Sequence, residues 1–342
     1  MRLTTFPAVK GSISASDKGS RRRWPWYFTA GVALLMWILA SLVSFKWDPE
    51  AGFWKEVIER KITAADGLRE LEGDKPMIFV GGGSSCSFSI HPDLLTEETG
   101  LPAVNLGGSA GMGYRYLIDL ATSRARKGDI VILHLEPEIL QVDEHSLQPL
   151  AVKVDLSRGL TGATRGAFAG ELYQRPVLDR LAALRPGAKF LGTLAAKVVR
   201  GGPLYRYRLE DIQENGVLGM VTTEPNADRE GFQSMKGWLE DEKVEADLKR
   251  VAEFGEKQGI RIFYTLPWEV FRPEILVAQR LEHARALEVM EGFLPIIRDA
   301  TMGATAENDW FLDTGYHMRR EPGRERTRVL GQALKRMLEE GL

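Results

Sequence analysis

The sequence predicts an α/β fold, in which a parallel β-sheet has helices on both faces, preceded by one transmembrane helix. Short apolar segments alternate with amphipathic segments along the chain, which is typical of a parallel sheet. A run of 20 residues without charge, 26–45, precedes them. A chain of 342 residues is long enough for one large domain.

Composition excludes several classes of function. Hydrophobic residues make up 44% of the chain and charged residues 27%, which is typical of a globular protein. The net charge is −2 and both signs are mixed throughout, so no nucleic-acid partner is predicted. Cys86 is the one cysteine, and the five histidines lack metal-ligand spacing. We therefore predict no disulfide, no metal and no cofactor.

The uncharged run at 26–45 is predicted to be a membrane anchor. At 1.5 Å per residue it spans about 30 Å, the hydrocarbon thickness of a bilayer. Aromatic residues lie at both of its ends, and three consecutive arginines, 21–23, precede it. The positive-inside rule then places the N-terminus in the cytoplasm and the main domain in the periplasm or outside the cell. We expect a disordered cytoplasmic tail at 1–23 and a single-pass anchor at 24–47.

A cleaved signal peptide is the alternative interpretation of this run. Signal peptides have apolar regions of about 7–15 residues and small residues at the cleavage site. Here the apolar run is longer, and Ile38 and Leu42 stand two residues before the small residues Ala40 and Ser44. The sequence favours the anchor. A buried core helix is disfavoured by the arginines and the aromatic residues.

The rest of the chain divides into two parts. Residues 48–75 are predicted to form a linker with a short amphipathic adaptor helix, and residues 76–342 the main domain. An insertion at about 145–235 interrupts the alternation, with helical patches near 172–184 and 190–199. We interpret the insertion as a cap or side layer.

Five apolar segments are predicted as strands: 77–80, 103–106, 130–135, 260–266 and 310–312. Helical spacing predicts helices at about 114–126, 244–258, 273–295 and 324–338. Ligands of such folds bind beyond the carboxyl ends of the strands. Ser85, the glycine cluster 107–113, Glu136 and Asp313 each follow a predicted strand, so the fold would gather them at one rim.

Ser85 is the first candidate for chemistry. It lies in Gly83-Ser84-Ser85-Cys86-Ser87, where a strand turns into a helix. A serine at such a turn projects its hydroxyl above the sheet, and its N–H can face an oxyanion. The alternatives are a glycine-rich turn that only starts a helix, and Cys86 as a thiol nucleophile. The lysine of a phosphate-binding Walker motif is absent.

Asp313 and His317 are the second candidates. A serine hydroxyl needs a base to take its proton, an imidazole supplies one near neutral pH, and a carboxylate can orient that imidazole. Both residues follow the last predicted strand, on the rim that also carries Ser85. The alternative is a histidine in a surface loop.

These segments, FVGGGSSCSFSI, VNLGGSAGMGY, IVILHLEPE and FLDTGYHMRREPGRERT, resemble the SGNH (GDSL-like) hydrolase superfamily, most closely its membrane-anchored bacterial type. The resemblance covers about 76–140 and 258–340. It implies a flavodoxin-like three-layer α/β/α sandwich with Ser85 as nucleophile and Asp313 and His317 as acid and base. It also implies an oxyanion hole built from the N–H of Ser85 and from the turn that carries Gly108, Ala110 and Gly111.

The sequence departs from the family pattern at two places. The third motif normally supplies an asparagine after the third strand, and Glu136 and Glu138 stand there instead. A carboxylate donates no hydrogen bond unless it is protonated, so we consider these two glutamates candidates for substrate binding. The family spacing D-x-x-H is here D-x-x-x-H between Asp313 and His317.

The resemblance implies an extracytoplasmic serine esterase or O-acyltransferase that acts on acyl esters of a surface glycan. Its expected partners are an acylated glycan or another ester, the membrane through residues 26–45, and membrane-bound acyl-transfer or export proteins. The alternative is a non-catalytic scaffold with the same fold, a component of a membrane-bound polysaccharide modification or export system.

Overall fold

The computed structural model describes residues 24–141, 149–157, 166–168, 184, 188–201, 205–213, 216–219 and 242–341. The predicted tail at 1–23 and nearly all of the helical patch predicted at 172–184 lie outside the described residues.

Four strands form one parallel sheet in the order β2-β1-β3-β4: β1 (Ile78–Gly82), β2 (Ala103–Asn105), β3 (Ile130–His134) and β4 (Arg261–Tyr264). Two further strands, β5 (Glu269–Val270) and β6 (Ala304–Thr305), form a separate parallel pair. The structure thus confirms a mixed α/β fold with a parallel sheet. The register places Val80 between Asn105 and Ile132, and Gly82 opposite His134.

The α-helices of the described residues are, in chain order, α1 (Trp24–Trp47), α2 (Pro49–Glu72), α3 (Ser84–Ser89), α4 (Pro92–Thr99), α5 (Tyr114–Thr122), α6 (Pro137–Gln141), α7 (Pro149–Ser157), α8 (Ala188–Arg200), α9 (Glu242–Gln258), α10 (Leu276–Met290) and α11 (Arg320–Glu339). Helix α8 confirms the helical patch predicted at 190–199.

Side chains of the sheet alternate between two hydrophobic cores, because successive residues of a strand face opposite ways. Phe79 and Val131 belong to the core that contains buried residues of α2, α5 and α9. Ile78 and Ile130 belong to a second core with Leu95 of α4 and residues of α11. Both faces of the sheet are therefore covered, which explains why its strands are apolar throughout.

Helix α1 is long and apolar enough to cross a membrane. Its side chains are mostly exposed, with Trp37 and Leu34 each about half accessible. A soluble protein rarely leaves a contiguous apolar surface of this size uncovered.

Helix α2 is part of the domain rather than a linker. Its side chains Trp54, Val57 and Ile58 are buried in the main core. Asp48 caps the helix, since its Oδ1 accepts the N–H of Glu50 at 3.0 Å. The domain consequently packs directly against the end of α1.

The prediction of a strand at 310–312 is wrong. The structure has a short 3-10 turn at Asn308–Trp310, and Phe311 makes a single antiparallel bridge with Met318. Phe311 and Met318 pack with Trp268 and Val270 in a small separate core. The apolar run therefore signals burial of a loop and not a strand.

Candidate active site

The candidate site begins where β1 turns into α3. Gly82 and Gly83 allow this turn because a side chain would collide with its surroundings. A Cβ at Gly82 would lie 1.9 Å from the carbonyl oxygen of His134, and one at Gly83 would lie 2.3 Å from a carboxylate oxygen of Glu136. Only glycine fits so close an approach. Ser84 then begins α3 and is half-buried.

The hydroxyl of Ser84 meets the ring of His317. The distance between Ser84 Oγ and His317 Nε2 is 2.8 Å, which is hydrogen-bond distance. The ring is buried and stacks on Phe88, with 4.3 Å between the ring centroids. The two residues are 233 positions apart in sequence, so the fold itself brings them together.

Asp313 holds the other side of the ring. Its Oδ1 lies 2.7 Å from His317 Nδ1, so the D-x-x-x-H spacing does allow the contact. The loop is tight enough because the N–H of Leu312 donates to the carbonyl of His317 at 2.7 Å, and Thr314 Oγ1 accepts the N–H of His317 at 3.1 Å. A carboxylate only accepts hydrogen bonds, so Nδ1 carries the proton in the neutral ring, and the lone pair of Nε2 faces Ser84.

Two residues that the sequence analysis did not identify contact the carboxylate of Asp313. Tyr207 donates its hydroxyl to Asp313 Oδ2 at 3.0 Å, and Arg206 approaches the same oxygen at 2.8 Å. Burial alone would raise the pKa of Asp313. The hydrogen bond and charge of His317, together with Arg206 and Tyr207, instead lower it to about 2. Asp313 is therefore ionised at neutral pH.

Tyr207 also connects the site to helix α2. Its ring lies 5.6 Å from that of Phe53 and 5.6 Å from that of Phe88, measured between centroids, and its hydroxyl oxygen is 3.2 Å from His317 Nδ1. Tyr207 belongs to the predicted insertion, and no motif in that segment indicates its role. A short run of alternating tyrosine and arginine at 205–208 is the only signal there.

Ser85, the serine that the sequence analysis predicted as nucleophile, does not contact His317 and points away from it. It is fully buried, its Oγ lies 3.4 Å from His134 Nδ1, and its N–H donates to Glu136 Oε1 at 2.9 Å. Helix α3 begins at Ser84, and consecutive residues of a helix turn by about 100°. Ser84 therefore faces His317 while Ser85 faces the core.

Cys86 is also buried, and burial raises the pKa of its thiol to about 12. A thiol attacks as the thiolate, which this environment disfavours. The geometry gives no support to Cys86 as an alternative nucleophile.

The N–H groups predicted for an oxyanion hole are largely engaged. Gly108 donates to the carbonyl of Gly82 at 2.9 Å, and Gly111 donates to Ser109 Oγ at 3.3 Å. The N–H of Ser85 is taken by Glu136. Ala110 starts a 3-10 turn on the same loop and is half-buried.

Glu136 and Glu138 lie beside the site in different settings. Glu136 is buried beneath the β1–α3 turn, and burial raises the pKa of its carboxyl to about 7. Its Oε2 has no hydrogen-bond partner within the described part of the chain. Glu138 is half-buried, accepts the hydroxyl of Tyr316 at 2.5 Å, and has a pKa raised by burial.

Lys61 of α2 is a further residue that the sequence did not indicate. It is fully buried, and its Nζ donates to Gly107 O at 2.8 Å and to Asn105 Oδ1 and Ser87 Oγ at 3.0 Å. Burial lowers the pKa of this amine to about 7. The lysine ties the glycine loop after β2 to helix α3, which carries Ser84.

The arrangement can perform nucleophilic acyl chemistry, since it has a hydroxyl, an imidazole and a carboxylate in sequence. Among the residues that the structure describes, no three His, Cys, Asp or Glu side chains come together as they would around a metal ion. Comparisons with known protein families, with curated proteins and with solved structures give no match to this chain.

Proposed function

We propose that this chain is a membrane-anchored, extracytoplasmic serine esterase or O-acyltransferase of the SGNH type, with Ser84 as nucleophile. One observation carries the proposal: the continuous contact from Ser84 Oγ through the ring of His317 to Asp313, with distances of 2.8 and 2.7 Å. Such a chain of groups activates a hydroxyl that is otherwise a weak nucleophile.

In the proposed reaction, Ser84 Oγ attacks the carbonyl carbon of an acyl ester while His317 Nε2 takes the hydroxyl proton. The tetrahedral intermediate then expels the alcohol, which receives that proton from His317. Water, or an acceptor hydroxyl in the transferase, then attacks the acyl-serine while His317 Nε2 takes its proton. The bond to Ser84 Oγ breaks, the carboxylic acid or the new ester leaves, and Ser84 regains the proton from His317. Asp313 stabilises the imidazolium in both halves of the reaction.

The oxyanion of the intermediate needs hydrogen-bond donors. We assign the N–H of Ser84 to this role, because the first residues of a helix have no acceptor within the helix. Ala110 on the neighbouring loop is the second candidate.

The resemblance to SGNH hydrolases supports the choice of ester substrates and, with it, a flavodoxin-like three-layer sandwich. The strand order β2-β1-β3-β4 and the two cores on opposite faces are compatible with that architecture. The basic residues before α1 support an N-terminus in the cytoplasm and a domain on the other side of the membrane. The acyl ester of a surface glycan is the substrate class that fits both the chemistry and this location.

A non-catalytic scaffold is the second candidate. It is favoured by Glu136, which stands where the family has asparagine and accepts the N–H of Ser85 instead of donating to an oxyanion. A scaffold would keep the fold without turnover, and its partners would be membrane-bound export or acyl-transfer proteins.

The test is hydrolysis of p-nitrophenyl acetate and of an O-acetylated oligosaccharide by the full-length chain in detergent. We expect both esters to be cleaved, and the Ser84→Ala variant to lose the activity. Absence of turnover by a folded wild-type chain, judged by circular dichroism, would favour the scaffold. Addition of an unacylated oligosaccharide distinguishes transfer from hydrolysis.

A further inference from the structure

Helix α8 (Ala188–Arg200) presents an apolar stripe that no described part of the chain covers. Leu191, Leu194, Ala195 and Val198 repeat at the spacing i, i+3, i+4 and i+7, which places them on one side of the helix. Every side chain that the structure describes between 191 and 199 is exposed, and Val198 is 80% exposed. Burial of large aliphatic side chains stabilises a protein, so such an exposed stripe normally has a covering surface.

The remaining side of α8 is basic. The helix sequence contains Lys189, Lys197 and Arg200 and no acidic residue. At about 100° per residue, positions 189 and 200 fall opposite the apolar stripe, and Lys197 lies at its edge, one turn after Leu194. A helix with one apolar face and one basic face is typical of segments that lie in the interface of an anionic bilayer.

The covalent chain keeps α8 close to the end of α1. Tyr205, five residues after Arg200, accepts a hydrogen bond from Trp54 Nε1 at 2.9 Å and lies 3.5 Å from Glu50 Oε1. Five residues span at most about 18 Å. Glu50 follows Trp47, the last residue of α1, by three positions, which span at most about 11 Å.

A second contact fixes the domain at this end of α1. Lys153 of α7 is buried and donates to Ser44 Oγ at 3.0 Å and to Asp48 Oδ2 at 2.7 Å. Ser44 lies in the last turn of α1, so the domain begins where the apolar helix ends. The surface of a bilayer spanned by α1 would be within reach of α8.

We propose that α8 lies in the outer interface of the bilayer that α1 spans, with its apolar stripe against the acyl chains and its basic positions toward anionic headgroups. The proposal rests on the membrane anchor of the proposed function and is independent of the ester chemistry. Because Arg206 and Tyr207 follow α8 closely and contact Asp313, the interfacial helix also holds the candidate site near the membrane surface.

The test uses the full-length chain with single introduced cysteines that carry an environment-sensitive NBD fluorophore. The positions are V198C on the apolar stripe, A196C on the opposite side as the matched control, and L34C in α1 as the reference for the anchor. Native Cys86 is buried, and the unsubstituted chain measures its background labelling. The proteins are reconstituted in vesicles of phosphatidylcholine and phosphatidylglycerol, with and without lipids that carry a nitroxide near the headgroup.

We expect the emission at position 198 to shift to the blue and to be quenched by the nitroxide lipids, while position 196 keeps the emission of a water-exposed site. Equal, water-like emission at both positions would overturn the proposal. A blue shift at Val198 without lipid quenching would also overturn it, since protein, such as a second copy of this chain, would then cover the stripe.

The reference position separates the two proposals. Lipid contact at Leu34 but not at Val198 would reject the interfacial helix and leave the anchor intact. Water-like emission at Leu34 would reject the anchor, and the interfacial helix with it. Neither outcome depends on ester hydrolysis.

Discussion

The Nε2 atom of His317 lies 2.8 Å from the hydroxyl oxygen of Ser84, although 233 positions separate the two residues. The next serine, Ser85, faces the core and approaches His134 instead. Of these two consecutive residues of α3, only Ser84 can therefore lose its hydroxyl proton to the imidazole. Activity should accordingly depend on this contact and on the groups that hold it in place.

Replacement of Asp313 by asparagine should lower kcat/KM for ester hydrolysis by about 10³–10⁴-fold, because an amide can no longer both fix the Nδ1–H tautomer and stabilise the imidazolium. Steady-state hydrolysis of p-nitrophenyl acetate measures this loss. Asp309→Asn is the matched control, since Asp309 is exposed on the preceding turn and should leave the rate unchanged. Equal rates for Asp313→Asn and the wild type would remove Asp313 from the mechanism.

Tyr207→Phe should lower kcat by about 10- to 150-fold, because a hydrogen bond to a charged group contributes about 1.5–3 kcal/mol. The ring packing on Phe53 and Phe88 is retained, so KM should change little, while loss of the same hydrogen bond should lower the melting temperature by several degrees. Tyr205→Phe is the control: its hydroxyl contacts Trp54 rather than Asp313 and should not affect kcat. If both variants lose the same share of activity, the hydroxyl of Tyr207 has a structural role and no specific effect on Asp313.

Glu136 should make the stability of the folded chain depend on pH. Its pKa in the folded protein is raised from 4.5 to about 7, so between these values the folded chain binds the proton more strongly than the unfolded chain does. Stability is lost as pH rises through this window, by up to about 3 kcal/mol from this group.

Glu136→Gln keeps an acceptor for the N–H of Ser85 and removes the titration. Denaturant unfolding of the full chain in detergent, at pH 4.5 and pH 7.5, should therefore show the variant gaining stability relative to the wild type at the higher pH. The exposed Glu307 provides the control, and Glu307→Gln should follow the wild type at both values. A constant difference between wild type and Glu136→Gln would contradict the buried, protonated glutamate.

Lys61→Met should destabilise the chain by about 2–4 kcal/mol, because the carbonyl of Gly107 and the side chains of Asn105 and Ser87 lose a buried donor. The folded pKa of Lys61 is lowered to about 7, so the wild type should gain stability from pH 7 toward pH 10.5, and the variant should lack this gain. Lys55→Met, at a half-exposed position of the same helix, is the control. Unfolding curves that coincide for the wild type and Lys61→Met would show that the amine makes no net contribution.

Apolar segments predicted the sheet correctly where strands are buried on both faces, as at Ile130–His134. The same pattern gave a wrong prediction at Phe311, because a buried loop contains the same apolar residue types as a buried strand. The hydrophobic period and the polarity of a sequence indicate which side chains are buried. They do not indicate which backbone N–H and C=O groups form hydrogen bonds with each other. Helix boundaries shifted by a few residues for the same reason, as α11 begins at Arg320 rather than near 324.

The candidate site was predicted only in part. Asp313 and His317 follow from a short loop, so sequence proximity indicates their contact. The choice between Ser84 and Ser85 depends on where α3 begins, a single-residue boundary that a pattern of serines and glycines does not fix. Tyr207 and Lys61 reach the site through long-range packing, and nothing local in the sequence records such contacts.

The most direct test is to label the full-length chain with a fluorophosphonate, which reacts with an activated serine, and to locate the adduct by peptide mass spectrometry. We predict one adduct, on Ser84, which persists in Ser85→Ala and disappears in Ser84→Ala and His317→Ala. An adduct on Ser85, or undiminished labelling of Ser84→Ala, would contradict the account.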